Sequence, residues 1–267
     1  MMRGAQTYRT EAIVLRHRRL GEANRVLTLF SPTLGKISAM AKGVLRPTSH
    51  MAGHLEVFTR TSLLLVESGS LDLITQAQTV ESFPAIREDL VRTSQALYVA
   101  ELIDRLSDED QCDSFAGYQQ LVTTLRWLSV SVQPDIAVRH FEIRIMDIAG
   151  YRPELQHCVQ CRQPLQEEIN VLSGVLGGML CPGCTDFDPI APSVSVSALK
   201  VLRLLQQDEI ETVRRLRLPP PLRQELEALL QSYLPIVLDR ELRSSAFVET
   251  VRSMPSHKPA VTTEPLP

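Results

Sequence analysis

From residue 10 to residue 78 the apolar positions come in short runs broken by turn formers. TEAIVLR (10–16), RVLTLFS (25–31) and GKISAMAK (35–42) are rich in β-branched or apolar residues; RRLGEAN and SPTLG between them carry Gly, Asn, Ser and Pro. In GKISAMAK the alternation is strict, with Ile37, Ala39 and Ala41 on one face and Lys36, Ser38, Met40 and Lys42 on the other. HLEVFTRTSLLLVE (54–67) and LDLITQAQ (71–78), joined at SGS, bring the count to five predicted strands, enough for a small barrel.

Beyond Pro84 the period becomes helical. IREDLVRTSQALYVAELIDRL (86–106) places Ile86, Leu90, Leu97, Ala100 and Ile103 on one stripe. SDEDQCDS interrupts it, and FAGYQQLVTTLRWLSVSV (115–132) follows with Leu121, Leu125 and Leu128 inward. A third helix opens at Pro134 and stops at Gly150, its polar positions held by Arg139, Glu142 and Arg144 and its Phe141, Ile145 and Ile148 read as core. Ser195 and Ser197 are candidate N-caps for ALKVLRLLQQ, and Pro235 is expected to kink or divide the helix that follows Pro219–Pro221. The Pro- and Thr-rich end, with almost nothing to bury, is expected to be disordered.

Composition adds little until charge is divided along the chain. The net charge is −3, but residues 1–80 hold 10 bases against 5 acids and the remainder 18 against 26. A front of +5 on a chain whose rest is −8 points to a polyanionic partner, and a five-stranded barrel that meets nucleic acid suggests an OB-fold. No apolar run approaches the roughly 18–20 residues that cross a bilayer, so a cytoplasmic, nucleoid-associated location is expected.

In that compartment thiols stay reduced, and four of the five cysteines form two CxxC pairs, Cys158/Cys161 and Cys181/Cys184, with 19 residues between. Three readings meet this spacing. A structural zinc uses all four thiolates and leaves no open position; a catalytic zinc of the deaminase kind needs HxE near the pair, which His54-Leu55-Glu56 only mimics from a predicted strand; a redox centre needs a βαβ frame that is absent from the flanks. The closed Cys₄ set favours structural Zn²⁺. His157 reads as a neighbour of the site, not a ligand, and Cys112 as a free thiol without function.

The cations predicted to meet nucleic acid are Arg16, Arg18, Arg25, Lys36, Lys42, Arg46 and Arg60. Aromatics are only 5% of the chain, and the front domain has just Tyr8, Phe30 and Phe58, so phosphate contacts are expected to dominate over base stacking. No Walker motif, carboxylate pair for phosphodiester chemistry or Ser/His/Asp order stands out, so no catalytic residue is assigned.

LGEANRVLTLFSPTLGKISAMAKGVLRP near the start, ALYVAELIDRL, and RHFEIRIMDIAGYRPELQHCVQC leading into LGGMLCPGC resemble the RecO family of bacterial recombination mediators over about residues 8–245. The resemblance implies an α+β protein: an OB-fold over 1–80, a helical domain over 81–153 and 190–248, a zinc ribbon inserted at 154–189, and a disordered tail at 249–267. It also implies binding of single- and double-stranded DNA, annealing of complementary strands, work with RecR, and help in loading RecA onto strands coated by single-strand-binding protein. That protein's acidic tail would sit in a groove between helices edged by Arg92, Arg126 or Arg139. The rival reading is a zinc-containing nucleic-acid enzyme or a zinc-ribbon adaptor.

Overall fold

The computed structural model describes residues 6–69, 71–107, 113–207, 210–238 and 243–254. Five strands, β1 (Thr7–Leu20), β2 (Asn24–Ser31), β3 (Gly35–Ala41), β4 (Arg60–Val66) and β5 (Asp72–Glu81), close into a barrel in the order β1-β2-β3-β5-β4. All neighbours are antiparallel except β3 and β5, which touch in parallel at only Ala39↔Asp72 and Met40↔Leu73. The alternation in β3 holds: Ile37, Ala39 and Ala41 are buried, Ser38 and Lys42 exposed. They fill the barrel with Ala12, Val14, Leu27, Leu29, Leu63 and Leu65.

Two boundaries differ from the sequence reading. The residues RRL, expected in a turn, extend β1, because Arg18, Arg19 and Leu20 pair with Val26, Arg25 and Asn24. The strand expected from His54 begins only at Arg60: Ala52–Leu55 form a 3₁₀ turn and Phe58 takes φ 67. Leu55 still reaches the barrel core, which explains why an apolar run there looks like strand.

The helical body comprises α1 (Pro84–Glu88), α2 (Leu90–Leu106), α3 (Ser114–Val130), α4 (Pro134–Ile148), then α5 (Val196–Gln206), α6 (Ile210–Arg214), α7 (Pro220–Leu238) and α8 (Arg243–Ser253). The single helix expected over 86–106 is split at Asp89, an extended N-cap whose carboxylate accepts from the Arg92 N–H. That break turns Leu90 out to solvent, 52% exposed, instead of into the stripe. Leu121, Leu125 and Leu128 of α3 and Phe141 and Ile145 of α4 are buried as expected. Ser195 caps α5 through the Ala198 N–H, whereas Ser197 lies inside the helix. Helix α7 continues through Pro235 without division. The stretch expected to be disordered from residue 249 is helical to Ser253 with Val251 buried, while residues 255–267 and Cys112 lie outside the described residues.

Barrel and helices share a core. Along β1, Ala12 and Val14 point into the barrel, while Ile13 and Leu15 join the helical cluster with Phe30 and Phe58. A strand buried on both faces cannot alternate in sequence, and AIV-L indeed reads as a continuous apolar run. The segment between α4 and α5 carries a small sheet, with β6 (Asn170–Ser173) central between β7 (Gly178–Leu180) and β8 (Ser193–Val194).

Candidate nucleic-acid interface and metal centre

The seven predicted cations divide into two groups. Arg60 on β4 donates to Glu11 of β1 (Nε–Oε1 2.6 Å) and Glu81 of β5 (3.3 Å), and the same Glu11 accepts from Tyr118 of α3. Partial burial opposes ionisation of Glu11, but the bonds from Arg60 and Tyr118 outweigh it and hold the carboxyl below its usual range. Arg126 of α3 completes this junction with two bonds to Glu81, 2.9 and 2.8 Å. Lys36 pairs with Asp104 at the end of α2 (2.5 Å), and Arg25 with Glu56 (2.9 Å). Their side chains are only 15–23% exposed. Arg60 and Lys36 therefore fasten the barrel to the helices, and Arg25 ties β2 to the segment before β4.

The second group is open. Arg18, Lys42 and Arg46 are exposed and have no ion pair among the described residues; Arg16, 62% exposed, touches Asp104 from its solvent side (3.2 Å). Arg19 belongs with them: it is exposed, unpaired among the described residues, and opposite Arg25 across the β1–β2 ladder. Two like charges facing each other on a ladder repel, and Glu56 neutralises only Arg25. Arg19 is not among the seven predicted cations, although Arg18 from the same RRL stretch is.

Backbone chemistry gathers this group at one end of the barrel. The loop after β3 bonds to the β1–β2 turn through Gly43 N–H to Asn24 Oδ1 (2.8 Å) and Leu45 N–H to Ala23 O (2.9 Å). Gly43 sits at φ +66, a conformation glycine adopts at no steric cost, and the turn it makes brings Arg46 back beside it. Arg18 and Arg19 beside the β1–β2 turn thus adjoin Lys42 and Arg46 of the loop after β3.

Of the barrel aromatics, Phe30 and Phe58 are buried against the helices, and the half-buried Tyr8 is held through its hydroxyl by Asp72. Nor do Arg92, Arg126 and Arg139 edge an open groove. Arg92 is turned onto the carbonyls of Leu128 and Ser131, and Arg126 onto Glu81. Arg139 and Glu142, expected on the polar face of α4, are 6% and 0% exposed; they pair at 3.0 Å, with Glu142 also accepting from the buried Tyr98 hydroxyl.

At the other pole the four cysteines converge, and one sulfur from each of Cys158, Cys161, Cys181 and Cys184 lies within 4.8 Å of the rest. A tetrahedral metal with bonds of about 2.3 Å sets sulfurs about 3.8 Å apart, and Cys161 and Cys181 stand at 3.7 Å. The residues fit one tetrahedral ion. Two backbone devices hold the first pair in place. The Arg162 N–H returns to the Cys158 carbonyl (2.9 Å), closing a knuckle in which Arg162 has φ 63. Val159 N–H and Met179 N–H then tie 154–159 to β7. Gly178 permits that approach, since a Cβ there would lie 2.6 Å from the Glu154 carbonyl oxygen. Burial disfavours the Cys158 thiolate, but backbone bonds led by Cys161 and Cys181 outweigh it and lower the thiol, whereas burial raises the Cys181 and Cys184 thiols. His157 is half exposed, lies beside Glu154, and is outside the quartet.

Comparison with known proteins covers both poles. Residues 2–83 match the family described as Recombination protein O N terminal, and residues 87–246 match Recombination protein O C terminal. A DNA repair protein RecO from Roseiflexus sp. is 40% identical over 249 residues, covering 93% of this chain and 87% of that protein. Proteins of the same name from Dehalococcoides mccartyi and Symbiobacterium thermophilum are each 35% identical, covering 92% of this chain and 96% and 98% of theirs. No described helix is long and apolar enough to cross a membrane.

Proposed function

The chain belongs to the RecO family of DNA repair proteins, and on that premise we propose that it is a non-enzymatic mediator of recombinational repair. It binds single- and double-stranded DNA, anneals complementary strands and, with RecR, helps load RecA onto single strands coated by single-strand-binding protein, whose acidic tail it engages. It works in the cytoplasm, at the nucleoid. The observation that carries this reading is the open basic end of the barrel, where Arg18, Arg19, Lys42 and Arg46 are exposed without an ion pair among the described residues, with the exposed Arg16 further back along β1. Cations on flexible stems neutralise phosphates without reading bases, which lowers repulsion between two strands while leaving their bases free to pair. The metal in this reading is one structural Zn²⁺, because four thiolates complete a tetrahedron and leave no site for a reacting water.

The test is annealing of complementary oligonucleotides without nucleotide, together with single-strand affinity against salt. Five phosphate contacts predict a log–log slope near −3.5, from roughly −0.7 per contact. Nearly salt-independent binding, or cleavage or deamination of DNA by the intact protein, would sink the proposal.

A further inference from the structure

Where barrel and helices meet, Leu15 of β1, Leu97 and Ala100 of α2 and Phe247 of α8 line a cleft of about 590 Å³. It lies beside Arg16 and Lys36, and Arg105, Glu101 and Asp104 also reach it. The acids are already engaged. Asp104 holds both Arg16 and Lys36, and Glu101 accepts from the Ser244 N–H (2.7 Å) and pairs with Arg105 (3.4 Å). Among the described residues three cations and two carboxylates therefore line the mouth, over an apolar floor.

Phe247 is 39% exposed in a cleft joined to the basic barrel. Of the barrel's own rings, Phe30 and Phe58 are buried, and Tyr8, its hydroxyl bonded to Asp72, lines a different cleft. A single strand has two things to offer such a place: a flat apolar base with a π-face and, on either side of it, a phosphate. A duplex keeps its bases stacked inside and offers only phosphates. Resting on the reading of the barrel end as a DNA surface, we propose that this cleft receives one unstacked nucleobase of single-stranded DNA against the Phe247 ring, with the adjoining phosphate on Arg16. The basic end then supplies strand-independent affinity, and the cleft supplies preference for single strands. Base-on-aromatic stacking is worth roughly tenfold or more in affinity per base, enough to separate the two substrates.

Two variants test this in the full-length protein. Phe247→Leu keeps an apolar side chain on α8 and removes the ring; we expect oligo(dT) affinity to fall roughly tenfold while duplex affinity and the melting midpoint stay unchanged. Phe247→Trp restores a ring and reports on it, because the native Trp127 is buried at 4% exposure. Its emission should be quenched by oligo(dT) but not by an abasic strand of equal length and charge. Equal quenching by the abasic strand, quenching by an acidic apolar peptide that carries no base, or an equal loss of single-strand and duplex binding in Phe247→Leu would overturn the cleft assignment. A wild-type protein that binds neither DNA form would instead overturn the reading of the barrel end.

Discussion

At the barrel end four cations stand without a carboxylate partner among the described residues; at the clip four thiols converge on one point. The two poles use polar residues in opposite ways. A site built to meet an outside polyanion leaves its charges unpaired and solvated, which costs little while they stay in water. A site built to hold an ion for the fold satisfies every ligand internally and leaves nothing for a substrate. The contrast separates recognition from scaffolding, and each pole can be broken without the other if the separation is real.

The largest effect is expected at the clip. Cys158→Ser with Cys161→Ser should abolish binding of one Zn²⁺ per chain, read by elemental analysis, and release hydrogen-exchange protection across 154–189. Structural zinc sites contribute about 10 kcal/mol or more to folding of the segment they close, so partial loss is not expected. Single-strand affinity of the barrel should stay within a few-fold of wild type. If it collapses together with the metal, the clip takes part in recognition and the contrast fails.

Next comes the barrel. Replacing Arg18, Arg19, Lys42 and Arg46 by Gln should flatten the salt slope by about 3 and weaken binding by roughly a hundredfold or more at low salt, with the melting midpoint unchanged. Arg60→Met should behave in the reverse way. It leaves Glu11 and Glu81 short of a partner in a partly screened junction, costing about 2 kcal/mol of stability without moving the slope.

That split among the cations shows where sequence stops being informative. Strand and helix periods were readable wherever one face meets the core and the other water, as in β3 and α3. The cysteine spacing was readable because metal ligands come in local pairs. What a period cannot carry is the partner of a polar residue. Arg60 finds Glu11 49 positions back, Lys36 finds Asp104 68 positions on, and Arg139 with Glu142 faces Tyr98 44 positions earlier. Arg139 and Glu142 looked like surface charges because i, i+3 spacing on a helix is the same for a solvated pair and a buried one, and Lys36 and Arg60 because a strand's alternation is the same whether its polar face meets water or a carboxylate. The boundary at RRL failed for a different reason: turn residues mark that a chain reverses, not at which residue.

Buried charge in the helical body gives a third, smaller test of the same contrast. Burial pushes the Glu142 carboxyl up to about 7, against the pull of Arg139 and Tyr98. A carboxyl that holds its proton more tightly folded than unfolded gives stability fully present below its ordinary range, near 4.5, and lost as pH rises through about 7. The loss should be on the order of 3 kcal/mol at most, from 1.36 kcal/mol per unit. Glu142→Gln should remove that slope from melting curves between those limits. DNA affinity measured across the same range should not distinguish the variant from wild type; a parallel change in affinity would mean that the buried network communicates with the barrel end.

The smallest effect is the most discriminating. Asp104 is where the two uses of charge meet, since its carboxylate holds Lys36, a fastener, and Arg16, an exposed cation of β1. Asp104→Asn removes one anion that competes with phosphate for both, and keeps the Asp104 backbone carbonyl that Lys36 also donates to. If Lys36 is thereby released to a phosphate, the salt slope steepens by roughly 0.7 and low-salt affinity rises a few-fold. The same change loosens one contact between β3 and α2, so the melting midpoint should drop slightly as DNA binding improves. Opposite movements of the two readouts are the signature of a residue that trades recognition for cohesion. A drop in both would mean that Asp104 positions Arg16 for DNA instead of withholding Lys36 from it, and the boundary between the two kinds of cation would move accordingly.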